Sequence, residues 1–387
     1  MNIAHVVESL EVGGAEVLVA TLCHWQHERG HDVAVHCLSQ GGPLAKQLEQ
    51  EGILVQVHAG LSNWRQVRSL SRAFRRSRRQ VIHCHNVAAT IYGAFAGSLA
   101  SAEAIISTRH GSISPTGKRR WLSGLAGRIC DFTVAVGEAT RRVLISEWGA
   151  KPEKIVTIRN GAAPARLGAH SAIEVGNTGF TAIMVARLKP PKDPATLLRA
   201  ISLASRDVPD VRLWIVGDGV QAQELRQLAS VLGITDRVSF FGARDDVGTY
   251  LANADIFVLS SLSEGVPVSL LEAMAAGRPF IVTNVGGMPE IAEISGAGMV
   301  VEAGDAPAMA QALVQYAKDR GRLAQLSQLA RQCYEQHFEP DKWAGAYLDL
   351  YGRALRARAA SRVPTALNDP PAAHRDGKPI AAKVDYK

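Results

Sequence analysis

Thirteen short apolar runs, most of them separated by helical patterns, set the strongest limit on how this chain can fold. In the first half they are IAHVV (3–7), VAVHCL (33–38), ILVQVH (53–58), VIHCH (81–85), AIISTRH (104–110), FTVAVG (132–137) and IVTIRN (155–160). In the second half they are TAIMVARL (181–188), VRLWIVG (211–217), VSFFGA (238–243), IFVLSS (256–261), FIVTN (280–284) and MVVEA (299–303). Short runs rich in β-branched residues read as buried strands, and alternation with helices demands parallel crossovers with helices on both sheet faces. A chain of 387 residues is too long for one ordinary core. Residues 163–179, rich in Ala, Gly and small polar residues without periodicity, separate the two sets. The expectation is two doubly wound, Rossmann-like α/β domains, 1–162 and 180–340, joined by that linker. Helical patterns at 307–337 and 341–359 follow, and the proline-rich 360–387 is expected to be a disordered tail.

Composition narrows the class. A hydrophobic content of 47% with 20% charged residues is ordinary for a soluble globular protein. The five cysteines lack CxxC spacing and suggest neither a zinc site nor a disulfide framework, so a reducing cytoplasm fits. The opening MNIAHVVESL has no basic leader, and the longest uncharged run, 86–102, is too short and too rich in small residues to span a bilayer. Charge is uneven. Residues 1–163 hold 19 Lys and Arg against 12 Asp and Glu, whereas the remainder holds 24 of each. The whole excess of +7 therefore lies in the first half and suggests an anionic partner there.

Residues 62–79 carry seven arginines and no acid, with Trp64, Val67, Leu70 and Phe74 at helical spacing. This is either a covering helix with a solvated face or a helix lying on an anionic membrane, through Trp64, Arg65, Arg68, Arg72, Arg75 and Arg76. Lys118, Arg119 and Arg120, beside Trp121, could widen that surface. No nucleic-acid motif accompanies these residues, so nucleic acid is not an expected partner. His83 and His85 are spaced for one strand face, but a metal would need a third ligand that the sequence does not place, and none is predicted.

The candidate site centres on 263–275, SEGVPVSLLEAMA. Glu264 follows a strand, Gly265 and Pro267 turn the chain with Val266 between them, and Leu270, Leu271 and Met274 supply a helix face that also carries Glu272. Arg187 and Lys192 follow another strand end across a proline-stiffened loop, where a guanidinium fork and a point charge can hold a diphosphate. Gly13 and Gly14 open a helix after the first strand and can bring backbone amides close to a ligand, or simply turn the chain.

Glu264 and Glu272 at this spacing, preceded by ARLKPPKD, VGDG and FFGARDDV and followed by GGMPEI, resemble the signature of the retaining glycosyltransferases of family 4, which have the GT-B fold. The resemblance covers roughly residues 1–355 and implies two domains facing across a cleft, with the last helix crossing back to the first domain. It implies a nucleoside diphosphate sugar (UDP or GDP) as donor, with no cofactor. Arg187 and Lys192 would take the diphosphate, Glu272 the ribose, and Glu264, with Gly265, Val266 and Pro267, the sugar. The base would stack near Gly242 to Arg244, Gly13 and Gly14 would lie near the diphosphate, and His110 near the transferred sugar. Asn160-Gly161 resembles the family's element before the linker, although AAPARLG departs from the usual continuation. Absence of any Asp-x-Asp sequence leads us to expect turnover without metal. The charge pattern and the resemblance together suggest a lipid-linked saccharide acceptor and peripheral attachment to the inner membrane face. A nucleotide-sugar epimerase or a non-catalytic basic scaffold would share the fold.

Overall fold

All thirteen runs are strands, in two separate parallel sheets. The structure, a computed structural model, describes residues 1–61, 63–111, 116–168 and 179–362. The first sheet contains β1 (Asn2–Ser9), β2 (Asp32–Gln40), β3 (Leu54–Val57), β4 (Val81–His85), β5 (Ala104–Arg109), β6 (Phe132–Ala135) and β7 (Ile155–Thr157) in the order 3-2-1-4-5-6-7. The second contains β8 (Phe180–Val185), β9 (Val211–Val216), β10 (Val238–Gly242), β11 (Ile256–Leu259), β12 (Phe280–Thr283) and β13 (Gly298–Val301) in the order 10-9-8-11-12-13. In each sheet the first strand of the unit is central and the order reverses beside it. A doubly wound sheet opens a crevice at that reversal, above the strand carboxyl ends.

Helices of the first unit are α1 (Gly14–Glu28), α2 (Pro43–Gln50), α3 (Asn63–Arg76), α4 (Asn86–Leu99), α5 (Gly117–Ile129) and α6 (Glu138–Ser146). The second unit carries α7 (Pro194–Ala204), α8 (Ala222–Val231), α9 (Val247–Asn253), α10 (Val268–Ala275), α11 (Met288–Ser295), α12 (Ala306–Lys318) and α13 (Arg320–His337), and α14 (Pro340–Arg362) ends the described chain. Alternation along the strands divides the first core. Ala4, Ile82, Cys84 and Ile105 pack with α3, α4 and α5, whereas Ile3, Val81 and Ile106 pack with α1 and α14. Trp343, Tyr347, Leu350 and Tyr351 of α14 are buried there, so the end of the chain returns to the first sheet. The second sheet has one continuous core, filled by Trp214, Phe257, Phe280 and the apolar faces of α7, α10, α12 and α13.

Several local expectations are corrected. Ten of the thirteen strands stop one to three residues before their apolar run does, because the trailing residues form the loops at the sheet ends. The helical pattern of 307–337 breaks at Asp319, which closes α12 and whose carboxylate accepts from the Arg322 N–H to start α13. Pro267 lies just outside α10, in extended conformation, rather than within its first turn. Trp64 is 56% exposed, because the buried stripe of α3 begins only at Gln66 and runs through Val67, Leu70, Ser71 and Phe74. Arg79 leaves the basic face altogether. A positive φ at Arg78 turns the chain, and the buried Arg79 guanidinium pairs with Asp32 at 2.9 Å and donates to the Asp32 carbonyl at 2.8 Å. Its acid partner was invisible in sequence because it lies 47 residues away. Most of the expected linker (169–178) and most of the expected tail (363–387) lie outside the described residues. No helix among the described residues is long and apolar enough to cross a membrane.

Candidate active site

The loop after β8 is the rigid side of the site. Leu188 N–H donates to the Asp218 carbonyl at 2.8 Å, Leu262 N–H to the Pro191 carbonyl at 2.7 Å, and the Ser260 hydroxyl to the Asp193 carbonyl at 2.7 Å. Asp193, in the left-handed region, caps α7 through Thr196. These bonds tie the 187–193 loop to the ends of β9 and β11. Lys192 therefore reaches Glu264, and the two form an ion pair that is largely shielded, with side chains 21% and 11% exposed. The Ser261 hydroxyl donates to the same Glu264 oxygen at 2.7 Å. A carboxylate held by an ammonium and a hydroxyl is fixed in direction, which a flexible loop acid is not.

Gly265 and Gly287 explain the tight turn behind Glu264. Gly287 N–H donates to the Gly265 carbonyl at 2.7 Å, and Gly286 adopts φ +59° with the Glu264 carbonyl 2.0 Å from where a side chain would begin. A side chain at Gly265 would lie 2.3 Å from the His110 carbonyl. The Glu264 loop and the His110 loop thus meet backbone to backbone. On the same seam a side chain at Gly13 would lie 3.2 Å from the Arg187 guanidinium, and one at Gly14 would lie 3.7 Å from Val268. Gly13, Gly14, His110, Arg187, Lys192, Glu264, Gly265 and Val266 are brought to one junction between the two sheets. Pro267 is buried in its wall.

Glu272 and the 242–244 turn lie further along the second domain. Glu272 lies on the second turn of α10, half-buried, and has no hydrogen bond or ion pair among the described residues. Burial pushes its carboxyl up to about 7. Gly242 has φ +69° and bonds through its carbonyl to Gly217 N–H at 2.7 Å, which holds that turn at the end of β9. Arg244 is committed to a two-pronged pair with Asp246, at 2.8 and 2.9 Å.

The first domain contributes a device that the sequence concealed. His85 Nδ1 lies 3.1 Å from His110 Nε2, His85 Nε2 lies 3.0 Å from His5 Nδ1, and His5 Nε2 lies 2.8 Å from the amide oxygen of Gln26 on α1. His83 joins laterally, between the Tyr351 hydroxyl at 2.6 Å and the Thr108 hydroxyl at 2.7 Å. Burial lowers the pKa of His5 and His110 to about 4 and of His83 and His85 well below the usual range, so all four are neutral at pH 7. A neutral imidazole has one donor and one acceptor nitrogen. Because the Gln26 oxygen only accepts, His5 Nε2 carries its proton, His85 Nε2 donates to His5 Nδ1, and His110 Nε2 donates to His85 Nδ1. His110 Nδ1 is then an acceptor, and it is a buried nitrogen with no partner among the described residues. The backbone of His110 is held separately, its N–H donating to Asn86 Oδ1 at 3.1 Å.

His5 is also the third histidine that spacing alone could not supply. One nitrogen each from His5, His83 and His85 falls within a 4.8 Å cluster. In the arrangement described, both nitrogens of each ring already have hydrogen-bond partners, so the cluster is occupied by its own network. Glu290 is a second residue that the sequence did not single out. It accepts from Arg159 at 2.6 Å and from Glu138 N–H at 2.8 Å, while Asn160 Nδ2 donates to the Val266 carbonyl at 3.0 Å. These three bonds clamp the domains beside the site.

Comparison with known proteins agrees with this architecture. A family model described as Glycosyltransferase Family 4 matches residues 12–166, and one described as Glycosyl transferases group 1 matches residues 179–319. The chain belongs to glycosyltransferase family 4. This glycosyltransferase is 28% identical over 272 residues to the UDP-Gal:alpha-D-GlcNAc-diphosphoundecaprenol alpha-1,3-galactosyltransferase of Escherichia coli, covering 65% of this chain and 70% of the relative. It is 37% identical over 147 residues to the N-acetyl-alpha-D-glucosaminyl L-malate synthase of Bacillus anthracis, covering 38% and 39% of the two chains. The second match therefore spans well under half of that relative. Among solved structures, HepE of Anabaena in complex with UDP superposes with a TM-score of 0.82 at 22% identity, over 91% of this chain and 100% of the other. That likeness shows the two-domain GT-B fold.

Proposed function

We propose that this glycosyltransferase moves a hexose-type residue from a UDP- or GDP-sugar to a hydroxyl of a lipid-linked saccharide, with retention of anomeric configuration and without a metal. The observation that carries this reading is the convergence of Arg187 and the Lys192–Glu264 pair on the His110 and Gly13 loops of the opposite domain. The hard event in glycosyl transfer is charge build-up on the departing diphosphate. Fixed cations stabilise it without reorganising, and removing one such group typically costs about 100- to 1000-fold in rate. Arg187 and Lys192 take that role. Ser261 keeps Glu264 in place when the Lys192 ammonium turns towards phosphate, leaving the carboxylate to accept from sugar hydroxyls. His110 Nδ1 offers a second acceptor on the other side of the sugar, and Glu272 accepts from the ribose. Glu264 is held by Lys192 and Ser261 as a hydrogen-bond partner rather than presented as a nucleophile. Retention therefore follows from attack on the face the diphosphate leaves, with the phosphate taking the acceptor's proton.

The acceptor class draws on the relative from Escherichia coli, whose name specifies a diphosphoundecaprenol-linked sugar, and on the basic first domain. Arg65, Arg68, Arg72, Arg75 and Arg76 of α3 and Lys118, Arg119 and Arg120 of α5 are all exposed, as a membrane-facing surface requires. Peripheral attachment to the inner face of the membrane, in exopolysaccharide or envelope glycan assembly, fits these features. The test is mass spectrometry of lipid extracts incubated with the protein and a panel of UDP- and GDP-sugars, with and without EDTA. A hexose-sized mass increase on a lipid-linked saccharide is the expected result. Interconversion of the donor without any transfer product would replace this reading by the epimerase, and complete loss of product in EDTA would remove its metal independence.

A further inference from the structure

Between α5 and α6, over β5 and β6, lies a cavity of about 740 Å³. All of its lining residues belong to the first domain, and none of the residues that meet at the junction between the sheets lines it. Among the described residues, five lining side chains are basic (Arg109, Arg120, Arg128, Lys151 and Lys154) and none is acidic. The Lys154 ammonium donates to the Cys130 carbonyl at 2.8 Å and to the Arg128 carbonyl at 3.1 Å, and the Arg120 guanidinium donates to the Glu147 carbonyl. Such bonds fix a cation in place without cancelling its charge, so the cavity is prepared for an anion. Arg109, on β5, is 6% exposed and lies over the Trp148 ring at 4.3 Å. The floor beside it is hydroxylated. Ser107 donates to Thr133 Oγ1 at 2.9 Å, which leaves the Thr133 proton for a ligand. Trp121, on the rim, is 67% exposed.

Two glycines face the same space. Gly124 and Gly127 lie inside α5, three residues apart, and a side chain at either would meet nothing within 4 Å. Neither has a positive φ. Glycine inside a helix weakens it relative to alanine, and here neither the backbone angle nor packing within the chain calls for it. A ligand lying flat against the helix does. Cations without acids, a hydroxylated floor, two indoles and a bare stretch of helix backbone together suit a pyranose ring that carries a negative charge. We propose that this groove is a second carbohydrate site, which takes an anionic sugar, one bearing a carboxylate or a phosphate, outside the interdomain cleft. The ring lies against Trp121 and the two glycines, its hydroxyls meet Thr133, and its anionic group meets the Arg109 guanidinium. The site is additional to the donor and acceptor positions and does not depend on whether the acceptor is lipid-linked.

Titration calorimetry of the full chain, with UDP and GDP in excess to fill the cleft, would compare tetragalacturonate with maltotetraose, a neutral chain of the same length. Tetragalacturonate is expected to bind about tenfold or more tightly over maltotetraose, the contribution of one charge-assisted hydrogen bond. Arg128→Gln with Lys151→Gln should erase that preference. Gly124→Ala with Gly127→Ala should weaken tetragalacturonate to a similar extent while the protein melts no lower than wild type, since alanine favours the helix. Equal affinity for the two saccharides, no binding of either, or wild-type affinity in the alanine variant overturns the site. A lower melting temperature in the alanine variant would assign the glycines to the fold and overturns it too. Inorganic phosphate binding as tightly as tetragalacturonate would leave a simple anion site, with no part for the sugar ring, and also overturns it. Galacturonate and galactose 6-phosphate separate the two sources of an anionic sugar. Monomer affinity equal to the tetramer's assigns a free sugar, and affinity rising with chain length assigns a residue of a longer glycan; either supports the site.

Discussion

Glu272 gives the sharpest test of the proposed donor site, because burial shifts its protonation one way and the proposed ribose contact would shift it the other. Its carboxyl is pushed from an ordinary value of 4.5 up to about 7 by burial, with no partner among the described residues to hold the charge. A shift of that size corresponds to about 3 kcal/mol against the ionised form, as an upper bound for a side chain that keeps some solvent contact. The folded-state pKa lies above the unfolded one, so the favourable contribution is complete below about pH 4.5 and is lost as pH rises through about 7. Glu272→Gln should therefore raise the melting temperature of the protein without nucleotide at pH 8, by about 2–4 °C per kcal/mol recovered, and change it little at pH 4.5. Donor binding runs the other way. In the proposed site the ribose hydroxyls would donate to the carboxylate and favour its ionised form, so affinity should climb as pH rises through 7 and a proton should be released on binding. A nucleotide sugar is the right probe, since its diphosphate has no ionisation near neutrality. Titration calorimetry between pH 5.5 and 8.5, in two buffers of different ionisation enthalpy, reads both quantities. Affinity independent of pH with no proton release would refute the assignment, and so would the same pH dependence in Glu272→Gln.

Four further substitutions probe the rest of the junction. Arg187→Ala or Lys192→Ala should lower kcat about 100- to 1000-fold; near-normal turnover in both would remove the diphosphate assignment. Gly265→Ala places a methyl group 2.3 Å from the His110 carbonyl and should abolish transfer by parting the two loops, while circular dichroism and donor binding to the second domain persist; a fully active variant would show that the loops need not meet. Gln26→Met removes the acceptor that orients the histidine series, leaving a buried N–H unpaired at a cost of about 1–3 kcal/mol in stability. Nitrogen NMR should find His110 Nδ1 unprotonated in wild type and a tautomer mixture in the variant, with kcat/KM reduced; a protonated Nδ1 in wild type would reverse the direction derived for the relay.

The primary sequence determined the elements. Apolar runs with β-branched residues became strands because such side chains pack well on a pleated surface buried on both faces, and their spacing by helices left only parallel sheets. Part of the loop chemistry was legible as well, since Gly265 and Pro267 turn the chain ahead of α10, whereas the helix break at Asp319 and the crowding of Gly286 by the Glu264 carbonyl were not read. What the tertiary structure alone decided was which distant residues meet. Lys192 reaches Glu264 across 72 residues only because β8 and β11 are neighbours in the second sheet. His5 and His83 stand side by side because β1 pairs with β4 in that register, and Gln26 and Tyr351 complete the network from helices at opposite ends of the chain. Arg79 belongs to Asp32, and Trp64 to the surface, for the same reason. Sequence periodicity records the environment of a residue's own element, but strand order and domain contact set its partners, and these follow from how the two sheets wind and face each other.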